Sequence, residues 1–385
     1  MSKPKLALIP SGYKSGKVYS ILPNDATGDF DYERNGNASR VRKDGLIEEL
    51  TVDDTPRLDW LNSNCPSLLL EPQRTNYATN NTSMNTYNIV GGSNPSPTLT
   101  ANYTIAPDGT LTATRLQTSV TGTNYSLIGF PTTASDGSGG GYYTASVYVK
   151  SNTGSSQEIA FYGQSSSPTN RTATTEWSRI QFTGQRLANT KYAYLGTINA
   201  TDDDIDISVW GAQIELVDSY PSSLIYTGAS TETRLKDECL NGGDSDLFNI
   251  TEGTFFVDAN NFGTPLNGYN MITISDGTGS NYIRFIYESS RIRVSVLGLG
   301  DYFITSVNDN QRNKTLVTFK ENEMKVFLNG SLVHTDTLGV LPTDMDRLNF
   351  ASQSGTSRHF EGKVYDTRFY DRVLTEAEAI ELTTL

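Results

Sequence analysis

"NDNQRNKTLVTFKENEMKVFLNGSLVHTD", residues 308–336, holds two short runs of alternating apolar and polar residues joined by Asn329-Gly330. Val326 and Leu328 lead into that pair, and Leu332 and His334 lead away from it. Asn-Gly tolerates φ > 0 at both central positions, which a type I′ turn requires, so the spacing predicts a two-residue β-hairpin. The same period of two recurs elsewhere. "YYTASVYVKS" alternates Ala145, Val147 and Val149 with Ser146, Tyr148 and Lys150, and "RIRVSVLG" sets Ile292, Val294 and Val296 against Arg291, Arg293 and Ser295. Short strands punctuated by Gly, Asn, Asp and Ser predict an all-β chain of antiparallel sandwiches.

One helix interrupts this texture. In "VLTEAEAIELTTL", Thr375 is placed to cap a helix and Glu378, three residues on, to reach back as a capping box. Leu374, Ile380 and Leu382 would then anchor this short C-terminal helix to a sheet.

At 385 residues the chain exceeds one typical domain, and 36% hydrophobic residues suffice for sizeable cores. Thirty basic against 43 acidic residues leave a formal charge of −13. Nucleic acids and anionic membranes are poor partners for such a chain, because binding them rests on Lys and Arg neutralising phosphates. The opening "MSKPKLALIPSGYKSGK" has only the apolar run Leu6 to Ile9, and no stretch of 18 apolar residues follows, so a soluble protein without an export signal is expected. Cys65 and Cys239 are too few for a disulfide framework or a four-cysteine zinc site and read as two buried thiols.

Breaks in texture divide the chain into 1–77, 78–235 and 236–385. The first part is rich in Lys, Arg, Asp, Gly and Pro and shows few strand periods outside Leu46, Ile47 and Leu50. It reads as an irregular arm. Its end, "CPSLLLEPQRTNY", sets Leu68, Leu69 and Leu70 between Pro66 and Pro72. Two readings are open: a joint that packs these leucines onto the first sandwich, or a proline-flanked edge strand of it.

"NASRVRKDGLIEEL", "PRLDW" and "CPSLLLEPQRTNY" resemble the opening of a broad group of tailed-bacteriophage virion proteins, and "VWGAQIE", "SYPSSLIYT" and "TETR" resemble the close of the module that follows it there. That module is similar to jelly-roll carbohydrate-binding modules. "MKVFLNGSLV" and "FEGKVYDTRFYDRVLTEAEAIEL" resemble the hairpin, and the final strand with helix, of concanavalin A-like or laminin-G-like sandwiches. The resemblance implies a virion-surface fibre, spike or decoration subunit, made in the host cytoplasm. Residues 1–77 would attach it to other virion proteins, and its sandwiches would touch surface glycans. A homo-oligomer is implied, and trimers are common among fibre proteins, although no heptad seam is visible. A free-standing lectin or glycan-degrading enzyme built from the same modules is the alternative.

Chemistry-bearing residues are sparse. "GYKSGKV" lacks the spacing and the Ser or Thr of a phosphate loop. A glycosidase on a concanavalin-like fold needs two carboxylates across the sugar bond; "DDDIDISV" offers Asp204 and Asp206, but the third position is Val209. His334 and His359 have no nucleophile motif beside them. No catalytic residues and no cofactor are therefore expected. Asp202, Asp204 and Asp206 read either as an acidic turn or as oxygen ligands for calcium, as some jelly-roll modules have. For sugar stacking the candidates are Tyr148, Tyr162 and Tyr194, with Tyr192 beside them; Trp177 and Trp210 read as core.

Overall fold

Asn329 and Gly330 adopt φ of 47° and 82° and join the strands Glu323–Leu328 and Ser331–Asp336, as the sequence predicts. The structure, a computed structural model, describes residues 3–385 except 93, 120–123, 132–140, 164–168, 186–192, 199–203, 218–219, 249–250, 264–267, 306, 308 and 338. The chain forms two units. One comprises residues 1–36, 50–72 and 235–385, the other residues 37–49 and 73–234.

The first unit is a sandwich. Its eight-stranded antiparallel sheet runs in the order Ser331–Asp336, Glu323–Leu328, Arg312–Lys320, Glu252–Asn261, Gly362–Tyr370, Ser67–Leu70, Leu58–Asp59, with Leu6–Leu8 also paired to Gly362–Tyr370. A five-stranded sheet of Gly300–Thr305, Arg291–Val296, Tyr282–Glu288, Tyr269–Ser275 and Arg347–Asn349 faces it. The inward side chains of both sheets, among them Phe255, Val257, Ile272, Phe285, Val294, Val317 and Phe369, form one core. On the far side of the larger sheet, Leu374 and Leu382 are buried with Phe256, Leu316 and Phe327. They anchor the helix Glu376–Thr383, whose capping box forms as expected. Ile380 is only partly buried there, and Ala379 is buried beside it.

Residues 1–77 differ from the irregular arm that the composition suggests, because they are shared between the units. Leu6, Leu8, Val18, Phe30, Tyr32, Leu58, Leu68 and Leu70 all lie in the core of the first unit. Leu68 and Leu70 thus belong to the core of this unit and not to that of the 73–234 sandwich. Leu68, Leu69 and Leu70 pair with Val364, Lys363 and Gly362 of the unit that closes the chain. The composition hides this because each contribution is one short strand, too brief to show a period. "GYKSGKV" is likewise a small hairpin, with Tyr13 opposite Val18.

A buried ionic network ties these pieces together. The Arg57 guanidinium donates to Glu71 Oε2 at 2.6 Å and to Asp237 Oδ2. Asp237 also accepts from the Tyr32 hydroxyl at 2.5 Å and from the Glu71 backbone N–H at 2.8 Å, and Arg34 lies 3.6 Å away. Arg34, Arg57 and Asp237 are fully enclosed. Burial opposes the charge on Arg57, but Asp237 and Glu71 outweigh it and raise its pKa well above the ordinary value. Nearby, Asp59 of the same "PRLDW" stretch pairs with Lys363 at 2.6 Å.

The second unit packs two five-stranded antiparallel sheets. One runs Asn88–Gly91, Tyr125–Gly129, Tyr194–Ile198, Gln157–Tyr162, Asn170–Ala173; the other runs Thr98–Thr104, Ala113–Gln117, Asp206–Glu215, Tyr142–Ser151, Ser178–Gln185. Ala145, Val147 and Val149 face the core, as expected, with Leu116, Ile128, Phe161, Phe182 and Leu195. In "VWGAQIE" a bulge shifts the register between Ser146 and Tyr148, so the core residues change from Ile207 and Val209 to Ala212 and Ile214. Gly211 sits in it at φ 67°, and a Cβ there would stand 3.1 Å from the Tyr148 ring.

Buried amides close this unit. Asn76 donates to the carbonyls of Ala212 and Ile225 at 3.1 and 2.9 Å and accepts from the N–H groups of Ala78 and Ile214 at 3.0 Å each. Gln213 accepts from Ile225 N–H at 2.8 Å, and Asn81 from Thr227 N–H at 2.9 Å. "TETR" is the strand that pairs with Arg74–Asn76. Cys239 is buried as expected; Cys65 is exposed instead, in the turn before Ser67–Leu70.

Candidate functional site

On the 73–234 unit, alternation decides which side chains leave the core. Ile128, Phe161 and Leu195 point inward. Their neighbours Tyr125, Leu127 and Gly129, Ala160 and Tyr162, and Tyr194 and Gly196 therefore share the outer face of the first sheet. Tyr162 pairs directly with Tyr194, and Tyr194 with Gly129 on the strand that also carries Tyr125. The Tyr162 and Tyr194 rings lie 5.7 Å apart, inclined by 40°. Gly129 leaves room for one of them: a Cβ there would stand 3.4 Å from the Tyr194 ring.

The strand surface between the three phenols is enclosed. Leu127 and Ala160 are each only 2% exposed although they point away from the core, while Tyr125, Tyr162 and Tyr194 stay half-buried. Burial, with smaller contributions from Tyr194 and Tyr125, pushes the Tyr162 hydroxyl up to about 12. Burial and then Tyr125 raise Tyr194 as well. Tyr162 and Tyr194 therefore stay neutral at physiological pH, with hydroxyls able to donate and accept. Asn88, Glu158, Asn170 and Thr172 are exposed on the same face. A half-exposed aromatic floor rimmed by polar hydrogen-bonding groups suits the apolar face and hydroxyl edge of a sugar.

The structure thus brings Tyr162 and Tyr194 together and separates Tyr148 from them. Tyr148 lies in the other sheet and is not an open platform, because its strand is covered on both faces. Its ring lies 5.8 Å from that of Trp210, and Arg179 sits over it at 5.4 Å. Ile47, Val41, Leu224 and Tyr226 complete that cluster, which residues 37–49 help to form. Trp210 is core, as expected, whereas Trp177 is only partly buried and donates to the Ile105 carbonyl at 3.0 Å. Tyr192 lies outside the described residues. Tyr125 was missed; its signal is the alternation in "YSLIGF", where Ile128 and Phe130 mark the core side.

Asp204 and Asp206 do not converge. Asp202 lies outside the described residues, and Asp204 is exposed, 3.4 Å from the Ser119 hydroxyl. Asp206 is taken up by Arg115, whose Nε donates at 2.8 Å and whose Nη2 donates to the second oxygen. Asn152 and Gln117 donate at 2.9 and 3.3 Å. The Arg115 hydrogen bonds hold this carboxyl below its ordinary range, with burial opposing. Among the described residues no three His, Cys, Asp or Glu side chains gather as a metal site would require. His334 stacks on Tyr302 at 4.0 Å, and His359 meets Lys236 at 3.1 Å and Glu238 at 3.6 Å. Among the described residues neither histidine hydrogen-bonds a Ser or Cys side chain.

Residues 255–379 match the family model described as the Concanavalin A-like lectin/glucanases superfamily. This is the stretch that carries the Asn329-Gly330 hairpin and the Thr375–Glu378 capping box. Solved structures similar to the chain include the sialidase CBM40 of Ruminococcus gnavus bound to alpha2,3 sialyllactose, at 16% identity and TM-score 0.30 over 36% of this chain and 84% of that one. Domain 4 of AbnA, a GH43 extracellular arabinanase from Geobacillus stearothermophilus, is 11% identical at TM-score 0.31 over 44% of this chain and 84% of that one. Domains LG4-5 of the mouse laminin alpha1 chain are 9% identical at TM-score 0.25 over 67% of this chain and 90% of that one. No curated protein matches the chain. Among the described residues no helix is long and apolar enough to cross a membrane.

Proposed function

We propose that the protein is a glycan-adhering structural subunit of a tailed-phage virion, a fibre, spike or decoration protein that binds saccharides without turning them over. The observation that carries the adhesive half is the Tyr125, Tyr162 and Tyr194 surface, half-exposed and carried on three adjacent strands of one sheet. The match of residues 255–379 to a lectin-type superfamily supports the same half. The virion half is supported by the resemblance of "NASRVRKDGLIEEL", "PRLDW", "CPSLLLEPQRTNY" and "TETR" to tailed-phage proteins.

The buried architecture refines what attachment would require. Tyr32, Arg34, Arg57 and Glu71 are spent inside the first unit, so partner virion proteins would meet its outer surface, where Tyr19, Ile21, Val52 and Leu61 are exposed at 37% to 62%. Immunogold labelling of intact particles with antibodies against this chain tests the reading. Gold on the particle surface is expected; a chain found only in the soluble lysate would contradict it.

A further inference from the structure

The tyrosine surface carries a charge pattern of its own. In the five strands of its sheet only Glu158 and Arg171 are charged, and they go to opposite sides. Arg171 stands across from Ile159, whose side chain is in the core, and its Nε reaches over to the Gln181 carbonyl of the other sheet at 3.1 Å. Glu158 stands across from Thr172, in step with Ala160 and Tyr162, and so shares the outer face with the phenols. Among the described residues of these strands, that face holds one carboxylate and no cation.

Glu158 stands where a ligand lying on the rings would meet it. Ala160 separates it from Tyr162 along the strand and is enclosed, and Glu158 is the next outward residue, roughly 7 Å on. The Glu158 side chain is exposed but positioned, because the Thr172 hydroxyl donates to Oε1 at 2.7 Å. Among the described residues no Lys or Arg pairs with it and no donor meets Oε2. Other carboxylates of the same unit are answered: Arg115 takes Asp206, and Arg40 takes Glu48 at 2.9 Å. Beside Glu158, the three half-exposed rings present the negative faces of their π-systems, so rings and carboxylate both attract a cation. A sugar acid would meet like charge there.

We propose that the Tyr125, Tyr162 and Tyr194 surface selects saccharides that carry a protonated amine, with Glu158 as the specificity-determining residue. This deepens the saccharide reading of that surface and rests on it. The rings take the apolar side of an amino sugar, and its ammonium donates to Oε2 of Glu158, the oxygen that Thr172 leaves free. The formal charge of −13 adds a long-range field that favours the same ligands, so approach and local selection agree.

The test is calorimetric titration of the full chain at about pH 6, where an amine is protonated. Chitotetraose and its fully de-N-acetylated counterpart share one backbone and differ only at the amine, and tetragalacturonate supplies the opposite charge. At low salt the amine probe is expected to bind about fivefold more tightly than chitotetraose, and tetragalacturonate more weakly than either. At about 1 M salt, where the Debye length is roughly 3 Å, the preference should shrink towards unity. Glu158→Gln keeps an oxygen for Thr172 and removes one charge. It is expected to bring the amine probe to the affinity of chitotetraose with an unchanged melting curve, whereas Tyr162→Ala should weaken both probes together. Equal affinity of the wild type for the two probes overturns the proposal and leaves the saccharide reading standing. An amine preference retained in Glu158→Gln also overturns it, because the net charge of the chain then accounts for the preference. If the amine probe does not bind, the inference falls and the saccharide reading rests on neutral chains alone.

Discussion

The two sandwiches close in opposite ways. The first is assembled from three stretches of chain and locks them with buried charges, Arg34 and Arg57 against Asp237 and Glu71. The second is nearly continuous and locks itself with neutral amides, Asn76, Asn81 and Gln213, that bond to backbone groups. A charge network fixes which distant side chains must meet, since a lone buried ion is far costlier than a lone amide. An amide that bonds to backbone also joins distant segments, Asn76 reaching Ala212 and Ile225, but the peptide groups it serves cannot be mutated away. The difference teaches that residues 1–77 are structural members of the units, not an appendage.

Deleting residues 1–64 is the most damaging way to probe that contrast. It removes Leu6, Leu8, Val18, Phe30, Tyr32 and Leu58 from one core, Arg34 and Arg57 from the network, and from the second unit only the 37–49 segment with Ile47. At roughly 1.5 to 3 kcal/mol per large side chain the loss is on the order of 10 kcal/mol, comparable with a whole domain's stability. The truncated protein is expected to leave only the 73–234 region protected in limited proteolysis. A soluble truncated chain with both units resistant would break the comparison.

Point substitutions sharpen it. Arg57→Ala leaves Asp237 and Glu71 without their main cation and is expected to cost about 3–5 kcal/mol in the first unit. Asn76→Ala orphans backbone groups of the second and is expected to cost about 2–3 kcal/mol. Urea unfolding followed by region-resolved hydrogen exchange checks both, and each loss should be confined to its own unit. A loss spread equally over both units would mean that they unfold as one.

The smallest expected effect is at the helix Glu376–Thr383. Arg372 hydrogen bonds, with those of Thr375, lower the Glu378 carboxyl from 4.5 to about 2. A carboxyl whose pKa is depressed by folding stabilises fully above its unfolded value and loses that contribution as the pH falls from 4.5 towards 2. Because the pair is accessible to solvent, about 0.3–1 kcal/mol is involved. The stability difference between wild type and Glu378→Gln should therefore shrink across that window in pH-dependent melts. A constant difference would remove the ion pair from the account.

What the sequence made legible was local. The Asn329-Gly330 turn, the Thr375–Glu378 capping box and the inward rows at Ala145, Val147 and Val149 and at Ile292, Val294 and Val296 are each set within a few residues. The Arg57–Asp237 contact spans 180 residues, and no period announces it. The exposure of Tyr148 was misread because alternation tells which face a residue occupies and not what lies on that face; here Trp210 and residues 37–49 cover it. Tyr162 and Tyr194 were legible as strand tyrosines, whereas their junction with Tyr125 depends on cross-strand register.

The central functional claim, that the Tyr125, Tyr162 and Tyr194 surface binds saccharides, is tested most directly by saturation-transfer NMR. The full chain would be titrated with neutral hexasaccharides: cellohexaose, mannohexaose, xylohexaose and chitohexaose. The account predicts transfer to at least one of them with affinity near the millimolar range, about −4 kcal/mol, and its loss in the Tyr162→Ala/Tyr194→Ala protein with the fold retained. Identical saturation-transfer curves for wild type and the double variant, or no transfer to any of the four, would contradict it.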